Sequence, residues 1–344
     1  MLARMNDQRG RGRKTAIAAT VAAIMGSFGL AVDANAGGYA FQIITPPSAT
    51  ADDFIGVGGL NDKGQLLVSR QAPNVTYDYV DVNDVYNIKT KTYTALPAAP
   101  GATPNATEAM DINDSGEIVG FYHPAGGEYQ GFSYSGGVYQ TLDAFGALTT
   151  IAFGVSDNGK IVGLAGDFNA QQGFVYSAGQ YTAIDAAPYP LNSTEAFSIN
   201  DAGVIVGSYG PSSPGTAINS FSYSNGVFTP IVMPGEQVTS VDDINDAGLI
   251  VGGASNDGFV TGPGFVDKNG AFTAVSAPGA VSTTIDAIND RGQLAGVFTD
   301  ANGATQIFVA TPVPEPAAWA VMLVGLGGLG ASMRMRRRPA AVAT

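Results

Sequence analysis

The sequence predicts an all-β protein, a six-bladed β-propeller of four-stranded blades, on three observations. A four-residue turn, most often Asn-Asp-x-Gly, recurs six times, and its glycines are 52, 43, 44, 45 and 44 residues apart. Each turn sits among the same kinds of short apolar strand. The composition, with 46 glycines, 9% aromatic and only 13% charged residues, suits short strands and tight turns rather than surface helices.

Residues 1–36 come first and read as a secretory signal peptide. Arg4, Arg9, Arg11, Arg13 and Lys14 form a basic start, and an apolar stretch runs from Thr15 to Val32. Ala34-Asn35-Ala36 then supplies the small residues a signal peptidase accepts, with Ala34 at −3 and Ala36 at −1 of a cut after Ala36.

Residues 37–311 are the repeated body. Its turns are Asn61-Asp62-Lys63-Gly64, Asn113-Asp114-Ser115-Gly116, Ser156-Asp157-Asn158-Gly159, Asn200-Asp201-Ala202-Gly203, Asn245-Asp246-Ala247-Gly248 and Asn289-Asp290-Arg291-Gly292. An apolar strand enters each turn, and a second leaves it, as in Lys160-Ile161-Val162-Gly163 and Val204-Ile205-Val206-Gly207. A third carries Phe132, Phe174, Phe221, Phe265 or Phe308 at one equivalent position. The fourth follows an aromatic-x-x-aliphatic pattern: Tyr93/Leu96, Tyr139/Leu142, Tyr181/Ile184, Phe228/Ile231 and Phe272/Val275. Turns such as Ser224-Asn225-Gly226 join the last two. Four antiparallel strands in about 44 residues is the format of a propeller blade. The sixth copy has no fourth strand, while a spare one, Phe41–Ile44, lies upstream of the first turn. The N-terminal strand should therefore complete the last blade and hide the edges that an open β-solenoid, the other architecture considered, would expose.

Residues 312–344 form the tail. Pro314, Glu315 and Pro316 precede Trp319 and Ala320, an apolar run reaches Met333, and Arg334, Arg336, Arg337 and Arg338 follow. Residues 317–333 are just long enough for a transmembrane helix, and the arginines should hold its end in the cytoplasm. Gly325, Gly327 and Gly330 fit a dinucleotide-binding G-x-G-x-x-G, but inside a hydrophobic span with no preceding strand they read better as small residues for helix packing.

Pro314, Glu315, Pro316, Trp319 and Ala320 resemble the PEP-CTERM sorting signals of the P-E-P-x-x-W-A form. That resemblance implies recognition by an exosortase, an integral-membrane cysteine protease or transpeptidase, in a Gram-negative bacterium. It also implies a place at the cell surface or in the biofilm matrix, with the chain anchored in the inner membrane before processing. The body in turn resembles the extracellular HAF repeat, through Ile199-Asn200 to Val206-Gly207 and Gly173-Phe174. The His-Ala of that repeat is replaced here by Gly131, Gly173 or Ser220.

Charge and composition exclude several functions. Residues 37–316 hold 27 acidic and 7 basic residues, so nucleic acid is not an expected partner. There is no cysteine and a single histidine, His123, which removes thiol chemistry, cysteine-held zinc and multi-histidine metal sites. His123, between Tyr122 and Pro124, reads as a loop residue.

Asp111-Ile112-Asn113-Asp114 brings a calcium loop to mind. However, the sister copies carry Ser198 and Ala287 in place of Asp111, and Tyr122 stands where the loop's closing Glu would fall. The turn residues Asp62, Gly64, Asp114, Gly116, Asp157, Gly159, Asp201, Gly203, Asp246, Gly248, Asp290 and Gly292 are expected to be structural, with Asp starting each turn and Gly taking positive φ. A sialidase-like site fails for want of arginines, since only Arg70 and Arg291 lie in the body. Tyr77, Tyr79, Tyr122 and Tyr129 are candidate contacts for a ligand.

These observations lead to an exported, non-enzymatic surface or matrix protein without metal or cofactor, whose propeller binds a glycan or protein or serves as a scaffold. Signal peptidase and exosortase are its expected processing partners, and exopolysaccharide or a surface protein its expected ligand. The alternative is a carbohydrate-active hydrolase using propeller carboxylates, which a central funnel of acids with shifted pKa values would favour.

Overall fold

The computed structural model describes residues 34–36, 38–46, 54–71, 82–167, 171–184, 193–210, 219–256 and 262–313. The chain divides into residues 1–32 and 33–344, and every described residue belongs to the second unit. The signal region before Ala34 and the tail from Pro314, including its expected transmembrane helix, lie outside the described residues, none of which forms a helix able to cross a membrane.

The strands fall into six sheets. β1 (Ala34–Ala36) and β2 (Tyr39–Ile44) open the chain. The first blade holds β3 (Phe54–Leu60), β4 (Gln65–Gln71), β5 (Val82–Asn87) and β6 (Thr92–Ala95). The second holds β7 (Ala102–Ile112), β8 (Ile118–Pro124), β9 (Gln130–Ser135) and β10 (Val138–Leu142). β11 (Thr149–Val155), β12 (Ile161–Gly166), β13 (Gln171–Ser177) and β14 (Gln180–Ile184) make the third. β15 (Ser193–Ile199), β16 (Ile205–Gly210), β17 (Asn219–Ser224) and β18 (Val227–Pro230) make the fourth. The fifth is β19 (Val238–Ile244), β20 (Leu249–Ser255), β21 (Gly264–Lys268) and β22 (Ala271–Val275). The sixth contains β23 (Ala280–Ile288), β24 (Leu294–Asp300) and β25 (Thr305–Pro312).

The sixth blade is completed as the missing strand required. β2 lies antiparallel on β25, from Tyr39 opposite Pro312 to Ile44 opposite Ile307. Phe41 packs on Phe308 with ring centres 5.2 Å apart. β1 continues that sheet as a fifth strand, through Ala34 and Ala36. A signal peptidase cut after Ala36 would remove β1 and leave the sixth blade with four strands like its sisters.

Apolar clusters lie between neighbouring blades and bind them. Ile44, Ala295, Ile307 and Val309 of the last blade share one with Ile55, Leu66, Val68 and Tyr86 of the first, which seals the ring. Within five blades the pairing that the repeat dictates is Gly opposite Phe: Gly120–Phe132, Gly163–Phe174, Gly207–Phe221, Gly252–Phe265 and Gly296–Phe308. Those phenylalanines are fully buried. A Cβ on Gly163 would stand 2.0 Å from the carbonyl oxygen of Ile151, and one on Gly207 2.0 Å from that of Glu195. Glycine is thus required by the inner strand's backbone. The first blade solves the same space differently, with Val68 opposite Asp84.

Candidate functional site

The inner strands β3, β7, β11, β15, β19 and β23 each touch their neighbours around the ring and enclose a central channel. One end of it is built by the six repeated turns. Each is a hairpin loop closed by two backbone bonds, for example Gly64 N–H to Asn61 O at 3.1 Å and Asn61 N–H to Gln65 O at 3.0 Å. Gly64, Gly116, Gly159, Gly203, Gly248 and Gly292 all have φ between 71° and 86°, the left-handed residue that closes such a loop.

The first residue, not the aspartate, holds the turn together. Asn61 Oδ1 accepts from Gln65 N, Asn113 Oδ1 from Glu117 N and Asn245 Oδ1 from Leu249 N, all at 2.9–3.0 Å. The expectation that Asp starts the turn is corrected accordingly: the carboxylates reach across to the neighbouring blade. Asp114 Oδ1 accepts Asp62 N–H, Asp157 takes Asp114, Asp246 takes Asp201 and Asp290 takes Asp246, at 2.6–2.7 Å. Asp201 Oδ1 accepts Asn158 N–H at 2.9 Å, and Asp62 Oδ1 accepts Arg291 N–H at 3.2 Å, which closes the circle.

A second ring of amides runs beneath the carboxylates. The side chains of Asn61, Asn113, Asn200, Asn245 and Asn289 each donate to a carbonyl of the next turn. In the third turn Ser156 lacks an amide, and Asn158 donates to Asp201 O at 3.0 Å instead. The carboxylates are assigned to this circle by their hydrogen bonds, with burial and their neighbours' charges holding Asp157 and Asp290 above the usual range. The circle surrounds a narrow neck of about 60 Å³.

The neck shares Asp111, Ser198 and Asp243 with a wider chamber of about 300 Å³, so the two are stacked along the axis. The chamber is made by a bulge in every inner strand. Pairing shifts between Ala109 and Asp111, Ala152 and Gly154, Ala196 and Ser198, Val241 and Asp243, and Ile285 and Ala287, with a wider irregularity between Val57 and Leu60. The extra residue is turned out of the ladder. In chain order these residues are Gly58, Met110, Phe153, Phe197, Asp242 and Asp286, and all six line the chamber.

The wall is divided by chemistry. Met110, Phe153 and Phe197 form an apolar arc on the second to fourth blades, and the two rings meet edge-on at 5.5 Å. Asp242 and Asp286 stand on the fifth and sixth, and on the first Gly58 lies so close to the next strand that a Cβ would stand 2.6 Å from the Met110 carbonyl oxygen. Asp111 and Asp243, one residue after their bulges, are committed to the backbone. Asp111 accepts from Ile112 N and Val155 N at 2.7 and 2.8 Å. Asp243 accepts from the Ser198 hydroxyl, Ile244 N and Ile288 N at 2.5–2.8 Å. Asp242 Oδ2 has no hydrogen-bond partner and is shut off from solvent.

Burial pushes all four acids up, as low dielectric disfavours charge. Asp111 rises to about 8, with Asp243's charge adding to burial. Asp286 also rises to about 8. Asp243 reaches only about 6, because the Ser198 hydroxyl and two N–H groups support its charged form. Asp242 goes well above the ordinary range, through burial first and then the charges of Asp286 and Asp243.

Two expectations are corrected, Tyr122 as a ligand contact and His123 as a loop residue. Tyr122 is buried and donates to Gln130 Oε1 at 2.7 Å, so it is a core residue, not a surface contact. Tyr129 packs edge-on against Phe121 and His123. His123 belongs to β8, not to a loop, because the strand runs on through Pro124. Tyr77 and Tyr79 lie outside the described residues, as do Pro314, Glu315, Pro316, Trp319, Ala320 and the four arginines.

With ring and channel in view, the class is an all-β six-bladed propeller of four-stranded blades, and a processing address follows it directly. Residues 312–338 match the PEP-CTERM protein-sorting motif, which implies exosortase processing and export to the cell surface. None of the curated proteins matches the chain. Among solved structures, a putative TolB from Agrobacterium tumefaciens is similar at 11% identity and TM-score 0.50, over 76% of this chain and 91% of that one. The fungal Aleuria aurantia lectin, described as a six-bladed propeller with a fucose recognition mode, matches at 11% and 0.45, over 80% of this chain and 100% of its own. TolB from Acinetobacter baumannii matches at 10% and 0.44, over 76% of this chain, which spans only 56% of that chain. These likenesses concern the fold alone.

Proposed function

We propose that this is an exported, non-enzymatic surface or matrix protein that exosortase releases from its membrane tail, with the propeller as its binding module. The observation that carries this is where the ring is closed. β25 ends at Pro312, inside the sorting motif, and Val313 N–H donates to Gly38 O at 2.7 Å. Gly38, just after the expected signal cut, and Val313, just before the Pro-Glu-Pro element, therefore meet at one corner of the last blade. The strand that closes the ring is β2, so cuts after Ala36 and near Pro314 take nothing from the four-stranded blades. The body's likeness to the HAF repeat belongs to the same proposal, as does a glycan or protein ligand. Replacing Pro314, Glu315 and Pro316 together by alanine should leave the protein in the inner membrane at its unprocessed length. Unchanged release, followed by blotting of membrane and medium, would refute the proposal.

A second reading, a carbohydrate-active hydrolase, draws support from the raised pKa values of the chamber acids, since a carboxyl protonated near neutrality can act as a general acid. Its partner carboxylate would have to be Asp286, which burial also raises, to about 8, and so holds largely neutral. Asp111 and Asp243 are tied to backbone N–H groups, and Met110, Phe153 and Phe197 make the wall away from Asp242 and Asp286. Hydrolysis of glycans by the wild type, abolished in Asp242→Asn, would favour this reading over the first.

A further inference from the structure

The chamber holds one feature that the fold does not use. Five blades place their bulged residue where it packs, lets a neighbouring backbone approach or accepts a bond. Asp286 accepts the backbone N–H of Val297. Asp242 alone brings a carboxylate oxygen that is buried, unpartnered and set in the wall of a 300 Å³ space. A buried carboxyl without a partner destabilises the protein that carries it, so its presence at a bulge that three other blades fill with Met or Phe points to something that completes it.

We propose that the chamber binds a protonated amine, with the ammonium between Asp242 and Asp286 and the ligand's body against Phe153, Phe197 and Met110. This deepens the assignment of the propeller as a binding module and rests on it.

The chemistry of the wall decides the class. An anion is excluded, since among the described residues every charged group lining the chamber is an aspartate. A calcium ion asks for six to eight oxygens, whereas Met110, Phe153 and Phe197 fill three of the six bulges and Asp111 and Asp243 are committed to backbone N–H groups. An ammonium needs fewer acceptors and is attracted to aromatic faces as well as to carboxylates. Small-molecule sites begin at about 300 Å³, so a compact ring carrying an amine is the right size, and a polymer could present only a terminal unit.

The titratable groups facing Asp242 are Asp243 on its own strand, Asp286 on β23 and Asp111 on β7. The strands β3, β11 and β15 contribute Gly58, Gly59, Phe153, Phe197 and Ser198, with no basic group. Entry of a cation is therefore not opposed by a positive charge among the described residues of the chamber, and it draws the acids toward their ionised forms. Binding should release protons below about pH 8 and tighten as the pH rises toward that value.

Titration calorimetry of the full chain in detergent, with glucosamine, glucose, cyclohexylamine and calcium chloride as probes, tests the proposal. Glucosamine or cyclohexylamine should bind with proton release, and glucose should not. Asp242→Asn should weaken amine binding about 30-fold or more. Phe197→Leu, which keeps both acids, should weaken cyclohexylamine more than glucosamine, and it serves if the Asn variant fails to fold. Equal binding of glucose, undiminished amine binding by Asp242→Asn, no heat with either amine, or calcium binding that depends on Asp242 and displaces the amine would each overturn it. A glycan array on the same protein separates the two levels: glycan binding that survives Asp242→Asn would leave the binding module standing and remove this site.

Discussion

The neck and the chamber are adjacent stretches of one channel, built by the same six strands, and they differ in how alike their six contributions are. At the neck every blade gives the same aspartate, and each Oδ1 accepts a neighbour's N–H. Four residues before each of these aspartates the six blades give Gly58, Met110, Phe153, Phe197, Asp242 and Asp286. The first set is a closed circle of hydrogen bonds whose work is to register the blades. The second set is free to differ, because a bulged side chain is outside the ladder, although Phe197 also packs against the core between the fourth and fifth blades. Positions that repeat hold the ring, and positions that diverge give the channel its chemistry.

Substitutions at repeated positions should break the fold and leave chamber chemistry aside. Phe265→Ala, at a fully buried site, should cost about 3–5 kcal/mol in a chemical denaturation series. Gly207→Ala comes next, because its Cβ would stand 2.0 Å from the Glu195 carbonyl oxygen. The strand must shift, and about 3 kcal/mol is expected. At the neck Asp246→Ala removes one carboxylate and strands the N–H of Asp201 near solvent. A loss of about 1 kcal/mol should register in the same denaturation series. If Phe265→Ala melted like the wild type, the cores between blades would be wrongly assigned. If Asp246→Ala cost as much as the core variants, the neck would be doing more than registering blades.

Much of the ring was legible in the sequence because it is written six times. The period gave the blade count, and the missing fourth strand of the last copy pointed to Phe41–Ile44, which the register of β2 on β25 bears out. The turn glycines were legible for the same reason. The role of the turn aspartates was not, since a bond from one blade to the next joins residues about 44 positions apart and a turn read alone offers only local partners. Asp242 and Asp286 were missed as site residues because a bulge is a property of pairing, and a strand read by simple alternation gives no sign of it. A signal did exist. Aligning the copies on the turn places an acid in two blades where the other four carry Gly, Met or Phe. Tyr122 misled in the opposite direction: as a divergent tyrosine it looked like a contact, yet the cluster with Leu67 and Phe132 buries it.

The contrast between neck and chamber is tested most directly by melting the wild type and Asp242→Asn between about pH 5 and pH 8. The chamber acids titrate above their unfolded value in the native state. Above about pH 4 the unfolded chain has therefore lost protons that the native chamber keeps. Stability should fall as the pH rises, until the folded pKa values near 8 are passed. Asp242→Asn removes the unpartnered carboxyl, so it should raise stability at pH 8 by about 2 kcal/mol, some 4 °C or more in Tm, and flatten the slope. Parallel curves, or a variant less stable at pH 8 than the wild type, would mean that Asp242 already has its partner within the fold.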